Sequence, residues 1–217
     1  MNKIILFSIS VFLSLMLYSC KRTKTEYYPN GEKKYESEFK GGMKNGFENR
    51  WFETGRMQSQ FEYKDDLLNG VSKRWFINGN LQSEDTYQNN KLNGVSKIWD
   101  EKGNKIIEKT YKNDTLNGSY KEWYPNGHIK VDGANKNGKF EGEWLYYDYL
   151  GVVVGKGSFS EGTGILKGYN LKGQQIREVR YFNNLKNGDE KHYDSSGNLE
   201  SVVTFKNDRI INIKKNN

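Results

Sequence analysis

The chain is poor in the residues that staple small domains together. Its 217 residues include one Cys, two His and two Pro. A single Cys excludes a disulfide framework, and so little Cys and His excludes a zinc-finger array or a Cys/His-rich metal site. Aliphatic residues are also scarce. Leu, Ile, Val and Phe number 49, and ten of these fall in the first 17 residues. From Cys20 onward only 39 remain among 198 residues, in a chain that is 28% charged; that is near the level of intrinsic disorder. Aromatics point the other way. Fifteen Tyr, eleven Phe and five Trp make 14%, enough ring area to cover the faces of a sheet. With 23 Gly, composition indicates a polar, glycine-rich, aromatic-rich β protein. The net charge is +7, yet bases and acids are interleaved throughout, which argues against nucleic acid as a partner.

The first twenty residues contain one charge, Lys3, and residues 4–17 are apolar apart from Ser8, Ser10 and Ser14. About 14 apolar residues fall short of the ~20 of a spanning helix, so the segment reads as an export signal. It ends Leu17-Tyr18-Ser19-Cys20, which resembles the bacterial lipobox, with Tyr18 as the departure. The resemblance implies cleavage before Cys20 and a diacylglycerol thioether on its sulfur, each buried CH₂ adding about 0.8 kcal/mol of membrane affinity. A plain secretory signal is the other reading. Lys21 rather than Asp after the Cys implies the outer membrane over the inner in a cell that has both. Residues 1–19 are expected to be the signal peptide, 20–26 the lipidated Cys and a flexible tether, and 27–217 a repeat array.

A period dominates the remainder. Asn-Gly recurs at Asn45-Gly46, Asn69-Gly70, Asn93-Gly94 and Asn117-Gly118, 24 residues apart each time. The glycine series continues at Gly142, shortens to a spacing of 22 at Gly164, and resumes at Gly188. Five residues after each stands a ring: Trp51, Trp75, Trp99, Trp123, Tyr147, Tyr169, Tyr193. Nine residues after each stands a second Gly, from Gly55 to Gly197, and eight further on a second aromatic: Tyr63, Tyr87, Tyr111, Phe159, Tyr181, Phe205, with Asn135 the exception.

Each repeat has the chemistry of a β-hairpin. In Gly70 to Leu92, residues 71–76 favour a strand, Asn78-Gly79 suits a turn that needs positive φ, and residues 81–87 return. Residues 88–92 are expected to link to the next Asn-Gly. Seven repeats and a leading half give 15 or 16 strands. A lone hairpin is marginal in water, so stability must come from stacking neighbours. The Asn-Gly pairs, the Trp-Phe or Trp-Tyr, and the Tyr-Lys-Asn link, as in Trp123-Tyr124-Pro125-Asn126-Gly127, resemble the MORN-repeat variant family in its short bacterial form, annotated there as YwqK-like antitoxins. The resemblance covers residues 27–213. It implies an elongated, twisted all-β array of serial antiparallel hairpins, a protein-interaction or membrane-associated role, and no catalytic residues.

Residues one, three and five after each Gly share a strand face. The third is Lys73, Lys97, Lys121, Lys167 and Lys191 in five repeats. A lysine column beside a ring column is a candidate binding surface for an anionic partner; lysine stems that merely cover rings are the alternative. Glu36, Glu84, Glu108 and Glu178 recur on the return strands at an offset that suits cross-strand pairing with bases. The ring column is expected to form a buried spine. The aromatic run Trp144, Tyr146, Tyr147 and Tyr149 of the fifth repeat is a second candidate surface. His128 and His192 stand in different repeats without ligand spacing, so no metal is expected. Neither a nucleophile elbow nor a phosphate loop is present, and no carboxylate pair stands out, so no enzyme and no cofactor are expected. These features favour a non-enzymatic, membrane-tethered scaffold binding a protein or anionic envelope polymer. An antitoxin or immunity partner of a toxin is the runner-up, and an enzyme acting on envelope glycans a distant third.

Overall fold

A computed structural model describes residues 21–216; the expected signal segment and Cys20 lie outside the described residues. Among the described residues the fold is all-β, with eighteen strands and antiparallel pairing throughout. In order these are β1 (Lys21–Tyr27), β2 (Lys33–Lys40), β3 (Met43–Trp51), β4 (Met57–Lys64), β5 (Leu67–Leu68), β6 (Gly70–Trp75), β7 (Leu81–Gln88), β8 (Lys91–Trp99) and β9 (Lys105–Lys112). There follow β10 (Thr115–Trp123), β11 (Ile129–Lys136), β12 (Lys139–Tyr147), β13 (Val153–Ser160), β14 (Thr163–Tyr169), β15 (Gln175–Phe182), β16 (Leu185–Tyr193), β17 (Leu199–Lys206) and β18 (Arg209–Lys215).

The strands fall into two compact bodies. Of the described residues, the first holds those up to Gly94 with Glu101–Gly103, the second Val95–Asp100 with those from Asn104 onward. Within the first, β1 to β4 pair in chain order, β5 and β6 both pair with β4, and β7 pairs with β6. Within the second, β9 to β18 pair in chain order.

Two kinds of turn alternate. At the Trp end of each hairpin a five-residue loop carries the expected turn glycine: Phe76 N–H bonds Asn80 C=O at 2.9 Å, Gly79 N–H bonds Phe76 C=O at 2.9 Å, and Gly79 has φ 95°. At the other end the expected link is itself a tight turn. Asn89 and Asn90 have φ 50° and 65°, and Asn113 and Asp114 have 49° and 64°, the double positive φ of a two-residue hairpin turn that Asn and Asp tolerate best. Consecutive tight turns are clasped: Leu68 N–H donates to Asn90 Oδ1 at 2.7 Å while Asn90 N–H donates to Leu68 C=O at 2.9 Å.

The repeating Asn-Gly is therefore not a turn but a bulge. On β10 the ladder advances from Leu116 to Tyr120 while β9 retreats only from Tyr111 to Lys109. The same mismatch follows Gly46, Gly142 and Gly188. Gly118 has φ 126°, and a Cβ there would meet Thr110 Cβ at 2.9 Å, so both conformation and space require glycine. The 22-residue repeat is the one that lacks the bulge: β14 pairs with β13 without a register break.

Two expectations are corrected. Residues 21–26 are not a tether; they belong to β1, with Thr23 opposite Glu38 and Thr25 opposite Glu36. The standard loop is present at residues 28–32, where Gly31 N–H bonds Tyr28 C=O at 3.0 Å, so the residues before it are drawn back along β2. The strand count is eighteen rather than 15 or 16, because β1 and β18 flank the repeats and one bulge splits β5 from β6.

Burial is one-sided. In the first body Ser37, Glu48, Ser59 and Ser72 are buried; in the second Ser96, Val131, Asn135, Trp144, Phe159, Val179 and Glu190. All lie on the face that carries the second residue after each repeat Gly: Glu48, Ser72, Ser96, Tyr120, Trp144, Leu166 and Glu190. In the second body Val131, Trp144 and Phe159 form a core flanked by Tyr120, Phe140, Tyr146, Leu166 and Tyr181. Trp144 donates from Nε1 to Ala134 C=O at 3.0 Å and packs against Phe140 at 4.7 Å between ring centroids. Gly133 leaves the room, since a Cβ there would overlap the indole.

Candidate functional site

The opposite, open face carries the first, third and fifth residues after each repeat Gly. The ring column is not a buried spine. Trp51, Trp75, Trp99, Trp123, Tyr147, Tyr169 and Tyr193 are all half-buried. A flat sheet face without a second layer leaves one side of each ring in water, and lysines from the return strands lie over some of them: Lys33 over Trp51 at 5.4 Å and Lys105 over Trp123 at 4.4 Å.

Lys73, Lys97, Lys121 and Lys191 are half-buried and Lys167 is exposed. The ladder sets acids opposite them: Lys73 faces Glu84, Lys121 lies between Glu108 and Asp132, and Glu178 lies between Lys167 and Lys191. Lys73 Nζ stands 3.4 Å from Glu84 and Lys121 Nζ 3.1 Å from Asp132. Three of the four recurring return-strand glutamates thus meet the lysine column, while Glu36 pairs with Lys33 at 2.7 Å. Such exposed pairs are each worth about 0.2–1 kcal/mol, and they lower the net field of the column. Lys167 also faces Lys156 of β13, and Lys156 Nζ pairs with Glu143 at 2.6 Å.

The aromatic run of the fifth repeat is divided. Trp144 is buried and Tyr146 half-buried on the core face. Tyr147 belongs to the ring column on the open face. Tyr149 is 53% exposed in the loop, edge-on to Tyr124 at 5.4 Å. The four residues form no single patch. Burial pushes the Tyr146 phenol up to about 12, aided by Tyr181 and Glu122, so it is a neutral donor at physiological pH.

Sequence reasoning missed the buried charge clusters. Glu48 receives hydrogen bonds from Lys44 Nζ, from Arg50 Nε at 3.1 Å and from Tyr35 Oη at 3.3 Å. Glu190 receives Arg177 Nε at 2.7 Å and Lys186 Nζ at 2.8 Å, with His192 Nε2 at 3.2 Å. Burial works to raise both carboxyls, but the cationic hydrogen bonds outweigh it and hold both below the usual Glu range. The signal was present: Lys-Asn-Gly-x-Glu occurs at residues 44–48 and 186–190. His128 serves a loop clasp, its Nδ1 3.1 Å from Tyr149 C=O. Among the described residues no cluster of His, Cys, Asp and Glu is arranged to hold a metal ion.

A cavity of about 230 Å³ lies in the second body, lined by Tyr146, Val154, Gly155, Leu166, Lys167, Gly168, Arg177 and Val179.

No curated protein matches the chain. Among solved structures, a crystal structure of TcdB2-TccC3-TEV aligns at 13% identity and a TM-score of 0.25. The alignment takes in 88% of this chain and 12% of that one, so the chain spans about an eighth of that protein's length. Residues 23–40, 68–89, 92–113, 116–133 and 186–207 each match the MORN repeat variant, and these segments coincide with five of the hairpins described above.

Proposed function

We propose that the chain is a non-enzymatic repeat scaffold, tethered to a membrane through a lipidated Cys20, that binds a protein or an anionic envelope polymer across its open face. The observation that carries this reading is the half-exposed ring beside each repeat's third residue. Every repeat leaves its Trp or Tyr half-buried on this face, in most cases next to a lysine. Within each body, equivalent strands of adjacent hairpins lie about 10 Å apart, two strand spacings, so an extended partner meets the same group at regular intervals there. Each contact is weak and screened within ~8 Å at physiological salt; affinity comes from the number engaged. The acids opposite the lysines shift part of the weight from charge to the rings.

Crosslinking in cells followed by mass spectrometry on the purified protein tests the scaffold. Several partners or cell-wall material support it. A single stoichiometric toxic partner, with toxicity unmasked on deletion, would replace it with the immunity reading. Replacing Lys73, Lys97, Lys121, Lys167 and Lys191 by Gln together should weaken binding steeply with the fold intact. Cys20→Ser should abolish lipidation; a Ser variant that still enters the detergent phase after signal removal would defeat the anchor.

A further inference from the structure

The cavity on the core face has a cause in the sequence. One row of that face runs Tyr146, Gly155, Gly168, Arg177 and His192 across β12 to β16, each residue opposite the next. Gly155 and Gly168 are directly paired in mid-strand, and neither has positive φ. Backbone conformation therefore does not call for glycine at either position. Packing calls for it only mildly. A Cβ on Gly155 would meet Tyr146 Cβ at 3.1 Å, and one on Gly168 would meet Arg177 Cβ at 3.2 Å. The neighbouring Gly133 and Gly157 differ, because the rings of Trp144 and Phe159 fill the space their missing side chains leave. The space above Gly155 and Gly168 stays open. Paired glycines inside strands weaken a sheet and mark places where another chain approaches the backbone.

The walls define the chemistry. Leu166 and Val179 supply an apolar side, Tyr146 a ring and phenol, and Arg177 a guanidinium. Glu190 takes Arg177 Nε and Lys186 Nζ together, so one carboxylate is set against two basic side chains and a positive surplus remains beside the slot. No carboxylate lines the slot itself. Lys167 contributes little charge, since its side chain belongs to the row on the open face. An occupant must bring an anion for Arg177 and an apolar group for Leu166 and Val179 within about 230 Å³. An internal Asp or Glu brings only the anion. The last residue of a chain carries an apolar side chain and a carboxylate on one α-carbon, and a planar guanidinium suits that carboxylate.

We propose that this slot captures the C-terminal carboxylate of a protein partner whose last residue is apolar. The slot lies on the face opposite the lysine and ring columns, so it stands or falls independently of the scaffold surface proposed there.

Fluorescence anisotropy on the full chain in detergent provides the test. The probes are labelled hexapeptides Gly-Ser-Gly-Ser-Gly-X, with X as Leu, Val or Phe, each as free acid and as C-terminal amide, and one amidated peptide with an internal Glu. At least one free acid should bind saturably below about 1 mM, and its amide and the Glu peptide at least about ten-fold more weakly. Arg177→Gln should cost about ten-fold or more. Gly155→Val with Gly168→Val should abolish binding while leaving the melting temperature unchanged or higher, since β-branched residues favour the strand. No saturable binding by any free acid, equal binding by the amide, or full binding by a folded double-Val variant overturns the proposal. If the Val variant does not fold, the acid-against-amide comparison on the unaltered chain decides alone.

Discussion

Asn184 reaches back 44 residues to accept a hydrogen bond from the backbone N–H of Phe140 at 2.8 Å. Its Nδ2 donates to Gly138 C=O at 2.8 Å and its own N–H to Gly162 C=O at 2.8 Å. Elsewhere a tight turn clasps only the turn one repeat earlier, about 22 residues back. Between Phe140 and Asn184 stands the short repeat without its bulge, and one side chain spans the turns on both sides of it.

Asn184→Ala should therefore cost about 1–3 kcal/mol, as partly buried backbone groups lose their partners. A thermal melt should show the loss, and hydrogen exchange at the Phe140 amide should quicken. An unchanged Phe140 exchange rate would show that this clasp contributes nothing.

Trp144 and Gly133 should behave as one element. Trp144→Ala should lose about 3–5 kcal/mol through the cavity left behind. Gly133→Ala should cost about 1–3 kcal/mol by overpacking, but close to nothing when Trp144 is already Ala. Additive losses in a double-mutant cycle on urea unfolding would separate them.

Glu48 and Glu190 should govern the acid limb of stability. Their folded-state pKa values lie below the unfolded value. The stabilisation they provide is complete above the ordinary Glu pKa of about 4.3 and is lost as pH falls through the lower folded value. Glu48→Gln or Glu190→Gln should reduce stability at neutral pH by about 1–2 kcal/mol and flatten its decline toward pH ~3. Urea titrations across that range would show it; an acid limb as steep as in the unaltered chain would count against both clusters.

Much of this was legible beforehand, and the limits have causes. Trp75, Gly79 and Tyr87 announce strand, loop and return because each type repeats at one offset. The core column was hard to see because it repeats only in part: Ser72 and Ser96, and Glu48 and Glu190, recur at one structural position, while Tyr120, Trp144 and Leu166 fill it with unrelated side chains. The repeating Asn-Gly marked the period, but nothing in its spacing showed that it forms a bulge. Its loss was nonetheless readable at Gly162-Thr163-Gly164, where only one residue separates the tight turn from the repeat glycine. β1 escaped notice because Lys21 to Glu26 carries neither glycine nor ring. For the site, periodicity placed the lysines and rings on one face, but nothing in it could show that Gly155 and Gly168 meet.

Removing residues 69–92, one full period, should leave a soluble, folded chain, because the strands brought together keep the register and face of those removed. Removing twelve residues joins unlike half-repeats and should abolish cooperative unfolding by circular dichroism.

The alternation of tight turns and five-residue loops fixes how far apart in the chain any two paired strands can be. Each strand finds its partner across a few residues, however many repeats are present, so the entropy of closing the connecting loop does not grow with chain length. Folding speed should then be set by the first one or two hairpins that hold together, while total stability rises roughly in proportion to repeat number. The second body, with its Trp144 core, is the natural place for that nucleus.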